Sequence, residues 1–228
     1  MAEGELHEAE VESRWEAGPA VLVVIGLQVA LSLVSRHQHW TLWRLPWWSW
    51  LVLIVPEAIL FASLALSWPR RQIEQLGRRR EVSLTLFGVV GNGNALALLA
   101  LITAILTGRE ENGGELLFKA ATIWSTNVIG FGLWFWTLDR GGPVRRREAD
   151  PPPPDFQFPQ MENPALAAPG WHPRLLDYLY LSFTNSVAFS PTDAMPLSRQ
   201  AKLTMLLESA VSAVTVLLVA ARAVNILR

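Results

Sequence analysis

The chain has 228 residues, 51% of them hydrophobic, with no cysteine and a formal net charge of −1 at pH 7. The missing cysteine excludes disulfides, thiol catalysis and Cys-ligated metal, and the absence of a basic stripe with interleaved aromatics argues against nucleic acid as a partner. The distinguishing feature is clustering: apolar residues gather in runs of about 20, the length an α-helix needs to cross the hydrocarbon core of a bilayer.

The first 18 residues are acidic, with Glu3, Glu5, Glu8, Glu10, Glu12 and Glu16. A secretory signal begins with positive charge, so the first apolar run, about Pro19 to Val34, is expected to be a retained span. A second span is predicted from about Trp47 to Trp68 and is ended by Pro69. It leads into a basic loop carrying Arg70, Arg71, Arg78, Arg79 and Arg80. A third span is predicted from about Val82 to Thr107, and a fourth from about Leu116 to Leu138, with a short acidic loop between them (Glu110, Glu111, Glu115).

Residues 139–173 differ in kind. They hold Arg145, Arg146 and Arg147, four consecutive prolines from Pro151, and further prolines at 159, 164 and 169. Proline removes an amide donor and fixes φ, so this segment is expected outside the membrane and largely extended. It is either a disordered linker or a cap ordered by Phe156, Phe158 and Trp171. A half-length apolar stretch follows, Leu175 to Phe189, then a polar turn, then a last span from about Leu203 to Ile226. Tryptophans flank the second span (Trp40, Trp43, Trp47, Trp48, Trp50, Trp68) and mark the fourth (Trp124, Trp134, Trp136). Indole favours the membrane interface, which suggests an aromatic belt. Arg outnumbers Lys seventeen to two, a composition that suggests a high-GC bacterial source and hence a multi-pass protein of the bacterial plasma (inner) membrane.

Residues 178–227 carry the most information. A short helix predicted to end at Thr184-Asn185 leads into a polar turn and then a full span. The runs Tyr180-Leu181-Ser182-Phe183-Thr184, Ser186-Val187-Ala188-Phe189-Ser190 and Pro196-Leu197-Ser198-Arg199, with Met205-Leu206-Leu207-Glu208, resemble in order and spacing the pore module of the potassium-channel superfamily, a module also seen in bacterial inner-membrane proteins. The resemblance implies a pore helix, a filter over Thr184, Asn185, Ser186, Val187, Ala188, Phe189, Ser190, Thr192 and Asp193, a pore-lining last helix and a tetramer. It covers about 50 residues, or about 110 if the fourth span is included as the outer helix.

The filter departs from the family's pattern. A potassium filter replaces the ion's water shell with backbone carbonyls, and aligning them needs the left-handed angles that glycine adopts at low cost. Ala188 and Ser190 stand where the two glycines would be, and Pro191 drives Ser190 towards an extended shape. The lining would then be the side chains of Ser186, Ser190, Thr192 and Asp193, which suits weakly selective passage of a monovalent cation (K or Na), or no passage.

Ionisable groups at membrane depth are functional candidates by default. Glu57 follows Pro56 in the second span, and Glu208, Ser212 and Thr215 mark one face of the last helix at i, i+4 and i+7. That face is either the wetted wall of a pore or a hydrogen-bonded seam between helices. Asn92 and Asn94, alternating with Gly91 and Gly93, read as helix-contact residues. The scattered histidines form no metal site, and no nucleophile motif, phosphate loop or carboxylate pair suggests an enzyme; no cofactor is expected beyond a permeant ion.

The expected fold is an all-α membrane protein with an acidic tail (1–18), a three-helix region (19–115) and a pore-module-like region (116–228). It has five transmembrane helices plus a re-entrant helix at 175–189. If that stretch crosses completely, the count is six. Arginine-rich short loops normally face the cytoplasm, whereas a channel pore loop enters from outside, so charge and resemblance point opposite ways for the side bearing Arg145–Arg147. The function this implies is a channel-like homo-tetramer in the lipid bilayer. The alternatives are a non-conducting scaffold or sensor that keeps the module's fold, and a small proton-coupled transporter using Glu57 and Glu208.

Overall fold

The computed structural model describes residues 3–40, 79–106, 113–143, 145–147, 150–190 and 193–226, with Trp48, Val55 and Ile59. The second predicted span and the basic loop before Arg79 lie almost wholly outside these residues, and Glu57, Pro191 and Thr192 with them. The described chain is mostly helical. Helix α1 runs over Glu3–Gln38, α2 over Arg79–Leu106 and α3 over Gly113–Leu138. A short helix α4 covers Pro159–Glu162, α5 covers Leu175–Ala188 and α6 covers Arg199–Ile226. Two-residue strands β1 (Phe156–Gln157) and β2 (Met195–Pro196) pair antiparallel.

Three helices among the described residues are long and apolar enough to cross a membrane, over Ala17–Gln38, Gly113–Gly141 and Arg199–Ala221. The acidic N-terminal residues are helical and continuous with the first of these, and Pro19 is accommodated inside α1. The α6 helix begins earlier than the apolar run because Ser198 caps it, its Oγ accepting from the Ala201 amide at 3.1 Å.

Helix α3 is central, and α1, α2, α5 and α6 all pack on it. Two apolar clusters fix the directions. At one end Val21 and Val24 of α1 meet Leu133, Phe135 and Trp136 of α3, Leu175 and Tyr178 of α5, and Ala201 of α6. At the other end Leu31 meets Leu116, Ala120 and Ile123 of α3 and Ala97, Leu98 and Leu101 of α2. So α1, α5 and α6 all begin at the end of the bundle where α3 finishes. Trp136 is buried there, 6% exposed, and belongs to the core rather than to an interfacial belt.

The proline-rich segment forms an ordered cap over that end. The chain leaves α3 through Arg140, Gly141 and Gly142, all at positive φ, which turns the backbone sharply where L side chains resist it. Phe156 and Phe158 then drop into the core: Phe135 and Phe156 rings lie 5.2 Å apart, and Phe158 meets Tyr178 edge-on at 5.2 Å. Pairing of Phe156 with Pro196 and Gln157 with Met195 brings the residues after α5 back to the cap. A further bond from the Leu197 amide to the Asp155 carbonyl, at 2.8 Å, extends the contact.

Helix α5 lies close along α3 because Gly132 has no side chain. A Cβ there would sit 2.7 Å from Leu179 Cδ2 and 3.0 Å from its Cα, so backbone approach is what the glycine permits.

Candidate functional site

The sequence places the polar residues of α5 at 182, 185 and 186, spaced i, i+3, i+4, which stacks them on one face of a helix. All three are buried, and that face looks onto Glu208 of α6, which has no exposed surface. Ser182 Oγ is hydrogen-bonded to Glu208 Oε1, Ser186 Oγ donates to the same oxygen at 3.1 Å, and Asn185 Nδ2 donates to Oε2 at 2.6 Å. The cage is closed by Asn185 Nδ2 to the Met205 carbonyl at 3.1 Å and by Ser209 Oγ to Asn185 Oδ1 at 3.1 Å. Ser182 Oγ also lies 2.7 Å from the Val128 carbonyl oxygen of α3.

The polar seam continues away from the cap. Asn127 of α3 donates to Ser212 of α6 at 3.3 Å, and Thr126 Oγ1 bonds Asn94 Oδ1 of α2 at 2.8 Å. Thr215 donates to its own helix at Val211. Glu208, Ser212 and Thr215 therefore face into the single chain and form a seam between helices. Of the two asparagines in α2, Asn94 makes the interhelical bond, while Asn92 bonds back to the Gly88 carbonyl.

The predicted helix end is corrected. Helix α5 does not stop at Thr184-Asn185 but continues through Ala188, so Ser186, Val187 and Ala188 are helical rather than an extended filter run. The physical reason is that Asn185 and Ser186 spend their hydrogen bonds on Glu208 and not on the local backbone, which is how such residues usually end helices. Thr184 likewise bonds within its helix, to the Tyr180 and Leu181 carbonyls. Phe189 ends α5 in the left-handed region, at φ 54°. Val187, Ala188, Phe189, Ser190 and Asp193 are exposed and take no part in the Glu208 cage.

A second buried polar node lies under the cap. Asp139, at the end of α3, accepts from the Asp155 amide at 2.8 Å, the Phe156 amide at 3.3 Å and the Tyr178 hydroxyl at 2.5 Å. Arg146 donates to the Tyr178 hydroxyl and to the Trp136 carbonyl. Its guanidinium lies 3.8 Å from Asp139 and stacks over the Tyr178 ring at 4.9 Å. The Tyr178 hydroxyl thus donates to Asp139 while its oxygen accepts from Arg146. Beside the node a pocket of about 550 Å³ opens among Arg140, Arg146, Gln160, Met161, Trp171 and His172. Among the described residues no group of three or more His, Asp or Glu could hold a metal ion.

Sequence reasoning did not single out Asp139 or Tyr178. Glu208 stands out in the sequence for its depth, but of its three partners the pore-module resemblance places Asn185 and Ser186 in the filter and Ser182 in the helix before it. The helical spacing of Ser182, Asn185 and Ser186 is the signal that joins them. Comparison with family models, with curated proteins and with solved structures gives no match.

Proposed function

We propose that this chain is a channel-like integral membrane protein of the bacterial plasma membrane, with five spanning helices and α5 as a re-entrant helix. It assembles as a tetramer and passes monovalent cations, K or Na. One observation carries the reading: the β1–β2 pairing joins Met195, after α5, to Gln157, before it. With 14 residues, α5 extends about 21 Å, short of the roughly 30 Å of a hydrocarbon core. A helix that starts at the cap, stops part-way down and is followed by a return to the cap is the arrangement a pore loop requires.

The departures in sequence set the character of the path. The α5 polar face is turned to Glu208, so the residues left to meet partner copies are Val187 to Ser190 and Asp193. Their exposed position supports a lining of the Ser190 hydroxyl, the Asp193 carboxylate and return-run carbonyls in place of a glycine-built filter. A second reading, a non-conducting scaffold that keeps the pore-module fold, is favoured by Glu208, Ser212 and Thr215, which are buried inside the single chain and so are turned away from a pore shared between copies.

Flux into liposomes separates the two. The purified chain is reconstituted, and potassium and sodium uptake are followed against empty vesicles. Uptake that falls several-fold on Asp193→Asn identifies the path. A well-folded oligomer that takes up neither ion overturns the channel reading and leaves the scaffold.

A further inference from the structure

Ser182 Oγ stands between two oxygens: the Val128 carbonyl at 2.7 Å and Oε1 of Glu208. A hydroxyl has a single hydrogen to donate, a backbone carbonyl has none, and an ionised carboxylate has none. Both contacts are shorter than the shared bonds of the Thr184 hydroxyl, which lie at 3.0 Å each, so each takes a hydrogen of its own. If Ser182 gives its own to Val128, the hydrogen in the other contact comes from Glu208. If Ser182 gives it to an ionised Glu208, two bare oxygens face each other at 2.7 Å in a buried site.

We propose that Glu208 is an intramembrane proton-binding site: its carboxyl donates a bound proton to Ser182 Oγ, and Ser182 donates in turn to the Val128 carbonyl. A single proton then clips α6 to α5 and α5 to α3.

The remaining contacts close without a further hydrogen. Ser186 donates to Oε1, and Asn185 uses both amide hydrogens, on Glu208 Oε2 and the Met205 carbonyl, while its Oδ1 accepts from Ser209. Among the described residues every group hydrogen-bonded in the cage is uncharged: Ser182, Asn185 and Ser186 from α5 on the carboxyl itself, and Val128 from α3 with Met205 and Ser209 from α6 on those three. Tyr178 is bound in the Asp139–Arg146 node, and Lys119 pairs with Glu115. Of the other described titratable side chains on these helices, Tyr180, Arg199 and Lys202 are exposed and Asp177 caps α5 at Arg174. Among the described residues no cation pairs with Glu208, so an ionised carboxylate here would be a buried charge without a counter-charge, the least tolerated state in a bilayer. On release the proton passes to water, the carboxylate repels the Val128 and Ser182 oxygens, and the deep end of α5 comes free of its neighbours. This inference concerns the packing of one chain and holds whether or not the assembly conducts.

Infrared difference spectroscopy on the intact, membrane-reconstituted protein tests it. At neutral pH the wild type is expected to show the carbonyl stretch of a protonated carboxylic acid, and Glu208→Gln to lose it. Gln fits the cage, because its amide nitrogen, in the place of Oε1, can donate one hydrogen to Ser182 and one to Ser186, and its carbonyl, in the place of Oε2, accepts from Asn185. Should E208Q fail to fold, Ser182→Ala decides: it retains Glu208 but removes its acceptor, and the same band is expected to move to higher frequency. If Glu208→Gln removes no such band, Glu208 does not bind the proton, and if Ser182→Ala leaves the band unmoved, the proton is not donated to Ser182; either result overturns the proposal.

Discussion

The Tyr178 hydroxyl donates to Asp139 at 2.5 Å across 39 residues of sequence, and the same oxygen takes an N–H from Arg146. This one phenol ties the end of α3, the cap and the start of α5 together. All three groups are buried, so each depends on the others for its hydrogen bonds. Removing the hydroxyl with Tyr178→Phe leaves a buried carboxylate and guanidinium short of one partner each, at a cost of about 1–3 kcal/mol. Asp139→Ala is expected to cost more, about 3–5 kcal/mol, because it strands a buried cation. Thermal unfolding in detergent should rank wild type above Tyr178→Phe above Asp139→Ala. Equal midpoints for the first two would show that the node adds nothing.

The contact of Gly132 with Leu179 gives a steric prediction. Gly132→Val places side-chain atoms inside the Leu179 backbone contact, forcing α5 off α3 at a cost of about 1–3 kcal/mol. Gly26 and Gly91 also sit inside helices, but a Cβ at either meets nothing within 4 Å. Gly26→Ala and Gly91→Ala should be neutral or raise stability by up to about 1 kcal/mol, since alanine is the better helix former. If Gly132→Val unfolds no earlier than these two, α3 and α5 are not in backbone contact.

The Glu208 cage separates shape from chemistry. Glu208→Ala leaves the buried donors of Ser186 and Asn185 without an acceptor and opens a void, so the unfolding midpoint should fall by the equivalent of several times the roughly 1 kcal/mol of an ordinary hydrogen bond. Glu208→Gln, which can both donate and accept, should stay close to wild type. Glu208→Asp, one methylene short, should fall between them. A Glu208→Gln protein as unstable as Glu208→Ala would mean that the carboxylate charge, not a hydrogen-bonding shape, holds the seam.

How much of this could be read from the sequence follows from the range of the forces involved. Runs of apolar residues are local, so the helices at 79–106 and 113–138 and the half-length helix at 175–188 stand where the runs place them. The caps are local too: Asp177 reaching back to the Arg174 amide at 2.7 Å fixes the start of α5. The end of α5 is not legible locally, because Asn185 and Ser186 look like helix-ending residues until Glu208, more than 20 positions away, occupies their hydrogen bonds. The cap divided evenly between order and disorder for the same reason. Its proline content forbids long helices, but whether it folds depends on Phe156 and Phe158 finding Tyr178 and Phe135, a contact between segments that no local pattern encodes. Glu57 and Thr192 lie outside the described residues.

The pairing of Gln157 with Met195 yields a test that the cysteine-free sequence makes clean. Directly opposed residues on antiparallel strands have Cα atoms roughly 4.5–5.5 Å apart, within the 4.4–6.8 Å that a disulfide accepts. The double variant Gln157→Cys, Met195→Cys should therefore cross-link on mild oxidation in intact membranes, and mass spectrometry should recover the two joined peptides. Gln157→Cys with Ala221→Cys, at opposite ends of the bundle, should not. The result bears directly on α5. If it crossed the bilayer completely, Gln157 and Met195 would lie on opposite sides of a hydrocarbon layer about 30 Å thick, and no disulfide could form within one chain. Efficient cross-linking between 157 and 195 thus requires that the chain enter and leave on one side, whereas its failure, with both cysteines reactive to a small thiol reagent, would make α5 a full span and remove the ground for a pore loop.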